Sequence, residues 1–367
     1  MIEDYFDKLV MSTPMSKLSW ASLLMVIFAA MTARPDPGRG SGVTETRRSL
    51  TRNPSDNGEF AVFEKDVRVD AAPDEDAKIY APSRDGGKTM VKDGRFPLVI
   101  VLPGFLAHYT YYEQMTRHLV SWGFVVLGID FAKPRDHVAS AKQVQRSIDW
   151  ALSAANPAAS LIDGDKIAVA GHSLGGKIAI YASSGDTNTK YPKINFAGDP
   201  RIKVIIAWDP VDSGGPPCAI ADGDMAGQCR GYPVLPDNIR RSSAKMLIFG
   251  GLTGDPKRLT CTPAGRTHAN FFAHAPSSSL HLDFPRSGHV DWVEQKTWFG
   301  LLPILGNLFC GDHPTADPLE VQAIAKRTQL IWLLKNFGSY DGLDKYLTGD
   351  VIQSDCRKND LCRMSVK

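Results

Sequence analysis

Residues 166–184 read KIAVAGHSLGGKIAIYASS, and the order of residue types in them decides the fold. Lys166–Ala170 is a short apolar run of the kind that forms a buried strand, and Leu174–Ser183 continues as an apolar helix. Between them stands Gly171-His172-Ser173-Leu174-Gly175, a G-x-S-x-G sequence extended by Gly176. A serine can occupy a sharp strand-to-helix turn only where its near neighbours lack side chains, and such a turn lifts the hydroxyl above the edge of a sheet. An ordinary glycine turn would need neither the strand before it nor the helix after it. Ser173 is therefore the candidate nucleophile, and the backbone N–H of Leu174 a candidate donor to the oxyanion of acyl transfer.

Working outward, FPLVIVLPG (96–104), GFVVLGIDF (123–131), RIKVIIAWDP (201–210) and KMLIFGG (245–251) are further nearly continuous apolar runs, as expected of parallel strands covered on both faces. Helical spacing is expected over Tyr111–Trp122, 139–155 and Ala323–Asn336. FAVFEKDVRVD (60–70) and AKIYAP (77–82) alternate instead, which predicts an antiparallel N-terminal edge. Together these predict an α/β class: a mostly parallel, doubly wound sheet of the α/β-hydrolase type. The expected organisation is a signal peptide or membrane anchor in 1–33, a flexible linker in 34–57, the catalytic domain in 58–340 and a cysteine-containing tail in 341–367.

This architecture runs nucleophile, acid, base along the chain. The expected base is His289, in SGHVDW (287–292), where small residues let a ring project over the sheet edge; His268, His274 and His281 are its competitors. His172 is set aside because the elbow turns it from its neighbour's attack path, and His313 reads as a surface residue. For the acid the residues leave three candidates: Asp209 at the end of RIKVIIAW, Asp255 after the following strand, and Asp212. The second oxyanion donor is expected at the N–H of Phe105, just past the strand ending at Gly104. Tyr109, Tyr111 and Trp208 are expected to line a pocket for an apolar substrate.

Forty-two Lys and Arg against 40 Asp and Glu leave a net charge of +2, which removes the electrostatic basis for nucleic-acid binding. The apolar run Leu18–Ala33, after Lys17 and before a Pro/Gly-rich stretch, is shorter than the roughly 20 residues of a spanning helix and fits a secretory leader; an uncleaved anchor giving membrane attachment is the alternative. All six cysteines follow Ser173, and the shortest closures pair Cys218 with Cys229, Cys261 with Cys310 and Cys356 with Cys362. A secreted or otherwise non-cytosolic monomer is expected, with no metal and no organic cofactor.

GHSLGGK, WDPVDSG (208–214) and the layout of LPGFLAHYTYYEQMTRHLVSWGFVVLGIDF (102–131) resemble the chlorophyllases and their relatives among polyester and cutin hydrolases. The resemblance spans about Phe60 to Trp292. It implies a triad of Ser173, Asp209 and His289, is the main ground for Asp209 over Asp255, and implies hydrolysis of a hydrophobic ester, small or polymeric. Leu174 stands where the chlorophyllase elbow carries Arg, and Pro103-Gly104 replaces its His-Gly, which is more like the polyester hydrolases. A non-catalytic binding module of this fold and an acyltransferase using the same triad are the alternatives.

Overall fold

The computed structural model of the protein describes residues 48–69, 72–187, 194–212, 234–252, 261–294, 306, 307, 310–338 and 340–367. The apolar run Leu18–Ala33, Asp255, Cys218 and Cys229 lie outside the described residues. Nine strands form one sheet: β1 (Ala61–Val69), β2 (Ala72–Ser83), β3 (Phe96–Leu102), β4 (Val125–Ile129), β5 (Ile162–His172), β6 (Ile202–Trp208), β7 (Lys245–Gly250), β8 (Leu280–Asp283) and β9 (Arg363–Val366). Their order in space is β1-β2-β4-β3-β5-β6-β7-β8-β9. The six strands from β4 to β8 are parallel, while β1, β2 and β9 run antiparallel to their neighbours. This is the α/β-hydrolase fold, with the expected antiparallel N-terminal edge.

The apolar runs are continuous because the sheet separates two cores. Side chains alternate across a strand, so Leu98, Ile100 and Leu102 of β3 enter one core and Val99 and Val101 the other. The first core is closed by α2 (His137–Leu152), α3 (Leu174–Ser184) and α4 (His268–His274), through residues such as Val144, Ile178 and Phe271. The second is closed by α1 (Glu113–Ser121), α5 (Pro318–Phe337) and α6 (Asp350–Arg357), through Leu119, Leu330 and Ile352.

Some bounds differ from expectation for local reasons. The helix expected from Tyr111 starts at Glu113, because Tyr109–Tyr112 forms a tighter 3-10 turn. Helix α5 begins at Pro318, earlier than the periodicity predicts, because Asp317 caps it by accepting from the N–H of Leu319. The segment read as a linker lies at its end against α1: the Asp56 carbonyl meets His118 Nε2 and accepts from Trp122 Nε1. The segment 341–367 supplies α6 and β9. Disulfides join Cys261 to Cys310 and Cys356 to Cys362. Among the described residues no helix is long and apolar enough to cross a membrane.

Candidate active site

The chain leaves β5 at His172 and enters α3 at Leu174, so Ser173 alone makes the turn. Its backbone has φ 53° and ψ −114°, a conformation that a side chain rarely adopts. Backbone hydrogen bonds anchor it, from the Ser173 N–H to the Trp208 carbonyl (2.9 Å) and to the Ser173 carbonyl from the N–H groups of Lys177 (3.1 Å) and Val211 (3.4 Å). Glycines are required on either side. A Cβ on Gly171 would lie 2.4 Å from the Gly175 carbonyl carbon, and one on Gly175 would lie 2.5 Å from the Leu102 carbonyl oxygen. Leu174 is the first residue of α3, so its N–H has no intrahelical acceptor and is free in that sense to face an oxyanion.

His289 comes to this turn from the loop after β8. Its Nε2 is 2.9 Å from Ser173 Oγ, and its Nδ1 is 2.6 Å from Asp209 Oδ2. A carboxylate only accepts, so Nδ1 carries the proton and Nε2 is left to accept from the serine hydroxyl. Asp209 follows β6 at φ 45°, has 0% exposure, and takes a second hydrogen bond from the Gly251 N–H at 3.3 Å. Burial works to raise its carboxyl pKa, but the hydrogen bond and charge of His289 outweigh burial and hold it below the ordinary carboxylate value.

The His289 backbone is gripped by groups that motif reading did not single out. Its N–H donates to Asp312 Oδ2 (2.8 Å), and the neighbouring Val290 N–H donates to Asn307 Oδ1 (3.2 Å). Asp291 accepts from the Gly288 N–H (2.6 Å), the Ser287 hydroxyl and Asn307 Nδ2. Burial pushes the carboxyl groups of both Asp291 and Asp312 up. Sequence offers little signal for these groups beyond the density of Asp and Asn around a loop histidine.

The competing candidates are engaged elsewhere. Asp212 faces Lys177 Nζ (3.0 Å) and accepts from the N–H groups of Val234 and Leu235. His268 and His281 meet each other, Nδ1 to Nε2, at 2.9 Å, and His274 Nδ1 donates to the Asn270 carbonyl. His172 lies beneath the turn, bonded to Tyr112 and to the His289 carbonyl, and His313 is exposed.

Gly104, before the expected second donor Phe105, lies close to Ser173: a Cβ built on it would be 3.5 Å from Ser173 Cβ. Phe105 follows in a turn closed by the Ala107 N–H donating to the Gly104 carbonyl (3.1 Å), with Leu106 at φ 61° and 88% exposed. Of the residues expected to line the pocket, Tyr111 is partly exposed. Trp208 and Tyr109 are 1% and 5% exposed. Trp208 stacks on Tyr112 at 5.6 Å between ring centroids, and Tyr109 packs over Gly128; both belong to the scaffold. Residue type favoured them as substrate contacts, but an aromatic ring serves a core equally well.

Among the described residues one group could offer ligands to a metal ion, Asp76, His108 and Asp130, with candidate atoms within 4.8 Å of one another. His108 Nε2 is 3.4 Å from Asp76 and 3.0 Å from Asp130, so pairing between ring and carboxylates already accounts for their approach.

Comparison with known proteins adds the family. The chain is 27% identical over 224 residues to Chlorophyllase-2 of Arabidopsis thaliana, covering 57% of this chain and 64% of that one. It is 23% identical over 208 residues to Chlorophyllase-1 of the same plant, covering 55% and 60%. It is also 34% identical over 89 residues to a bis(hydroxyethyl) terephthalate hydrolase of Streptomyces coelicolor, covering 24% of this chain and 28% of that one. The matched part thus spans about three-fifths of the length of the plant relatives. The chlorophyllase family model matches residues 56–316, and the chain belongs to the chlorophyllase family.

Proposed function

We propose that the protein is a serine carboxylic-ester hydrolase that acts on hydrophobic esters through an acyl-enzyme. The observation that carries this reading is the continuous contact from Ser173 Oγ to His289 Nε2 at 2.9 Å, and from His289 Nδ1 to Asp209 at 2.6 Å. His289 takes the Ser173 proton as Oγ attacks the ester carbonyl, and Asp209 stabilises the imidazolium that results. The N–H groups of Leu174 and Phe105 receive the negative charge of the tetrahedral intermediate. Collapse expels the alcohol with the proton from Nε2. A water molecule, deprotonated by the same nitrogen, then attacks the acyl carbon and releases the carboxylic acid and free Ser173.

The substrate class rests on the relatives. Those named chlorophyllases favour a bulky apolar ester, and the terephthalate hydrolase favours an aromatic ester or polyester. The exposed Leu106 and partly exposed Tyr111 beside the turn suit an apolar substrate. A non-cytosolic location is supported by the cysteines: disulfides persist in oxidising compartments, and two are formed among the described residues.

The test is labelling by a fluorophosphonate, followed by a panel of short nitrophenyl esters, a triglyceride, a polyester film and chlorophyll a. Wild-type protein should label and Ser173→Ala should not. A folded wild type that neither labels nor cleaves any ester on the panel removes the hydrolase reading.

A further inference from the structure

Tyr112 is fully buried and no part of the proposed reaction uses it, yet its hydroxyl is committed on two sides. The Gly104 N–H lies 3.2 Å from the phenol oxygen, and His172 Nδ1 lies 2.9 Å from it. On the far side of the same imidazole, Nε2 is 2.8 Å from the carbonyl oxygen of His289. The direction of every hydrogen bond follows from elementary chemistry. A backbone N–H only donates, so the phenol oxygen accepts from Gly104; a carbonyl only accepts, so His172 carries its proton on Nε2. The phenol proton is then directed at Nδ1.

This chain of bonds joins the three pieces of backbone on which the proposed reaction depends. Gly104 precedes Phe105, the proposed oxyanion donor. His172 precedes the nucleophile. The His289 carbonyl belongs to the base itself. The phenol is held in place by stacking on Trp208, the residue before Asp209, with ring planes 13° apart. We propose that Tyr112 and His172 are positioning residues, which fix the Phe105 N–H and the His289 ring in register with Ser173 Oγ. The inference rests on the hydrolase reading above and deepens it. Burial and the nearby His289 lower the His172 pKa to about 3, which suits a ring that must stay neutral to accept from Tyr112.

Small displacements of catalytic groups reduce turnover more than they reduce substrate binding or stability. Tyr112→Phe keeps the ring and its stacking but removes the link, so kcat for a nitrophenyl ester should fall tenfold or more, with KM within twofold and the melting temperature nearly unchanged. His172→Gln keeps an N–H donor within reach of the His289 carbonyl, whereas His172→Leu does not. Gln should therefore retain several-fold more kcat than Leu when both are folded, and this pair decides the matter if Tyr112→Phe fails to fold. Wild-type kcat in folded Tyr112→Phe, or equal kcat in the two His172 variants, overturns the proposal. An inactive wild type, or an active Ser173→Ala, would instead overturn the hydrolase reading.

Discussion

Asp209 sits with its two oxygens facing different donors, His289 Nδ1 and the Gly251 N–H. Replacing it with Asn would leave the shape nearly unchanged but present an amide to a ring nitrogen that needs an acceptor, which favours the wrong tautomer of His289. Asp209→Asn should therefore lose on the order of 10³-fold or more in kcat while still folding; a loss below tenfold would mean that another carboxylate orients the ring. Leu106 presents a different residue-scale question. A leucine at φ 61° costs about 1–2 kcal/mol, and its 88% exposure offers little burial in return. Glycine would relieve the strain but widen the unfolded ensemble by about 0.5–1 kcal/mol. Leu106→Gly should thus leave the melting temperature unchanged or slightly raised, while KM rises for long apolar esters and not for acetates. A fall of several degrees would show that Leu106 serves the fold. At this scale the sequence was most readable where backbone geometry restricts residue type, as at Gly171 and Gly175. It was least readable where burial decides: Tyr109, Trp208 and Tyr112 are chemically alike as sequence, and only packing separates ring from scaffold.

Among the elements, the loop carrying His289 depends on a segment brought to it by a disulfide. Cys310 lies between Asn307 and Asp312, the residues that accept from the backbones of Val290 and His289, and it is tied to Cys261. The cysteines are 49 residues apart, against 6 for Cys356 and Cys362. In the chain-entropy account the longer closure stabilises more, by about 4 kcal/mol against about 2. Cys310→Ser should therefore lower both the melting temperature and kcat, the latter by about tenfold. Cys356→Ser should lower stability less and leave kcat near wild type, because its disulfide closes the segment between α6 and β9. Equal kinetic effects would sever the connection drawn between Cys310 and the base. The parallel strands were legible because each is an apolar run in a covered sheet. Strand β9 was not, since Arg363–Val366 is short, mostly exposed and recognisable as a strand only by its pairing with β8. The same limit applies to the grip on His289: its donors and acceptors converge from separate segments, and no periodic pattern marks them.

For the molecule as a whole, buried histidines set the expected response to acid. Burial, helped at His118 by Lys326, lowers the pKa of His118 to about 4, and burial lowers those of His172 and His281 to about 3. An unfolded histidine titrates near 6.5. Between that value and about 4 the unfolded chain therefore binds protons at these positions that the folded chain refuses, so their contribution is fully present above pH 6.5 and is lost as the pH falls. Each such proton is worth about 1.4 kcal/mol per pH unit, so three together approach 4 kcal/mol per unit. Asp283, Asp291 and Asp312 act in the opposite sense, since burial raises their carboxyl pKa values and the folded chain then holds protons that the unfolded chain releases, while Asp209, held low, acts with the histidines. With groups of both signs present, the share of one histidine is read by comparing the wild type with a variant that lacks that ring. Urea unfolding at half-unit steps from pH 7 to 4.5 measures the slope of stability with pH. His118→Gln keeps a donor for the Asp56 carbonyl that His118 Nε2 now serves, but it has no proton to gain. It should flatten the slope by about one proton. A slope unchanged in His118→Gln would contradict the assignment of a neutral, buried ring to this position.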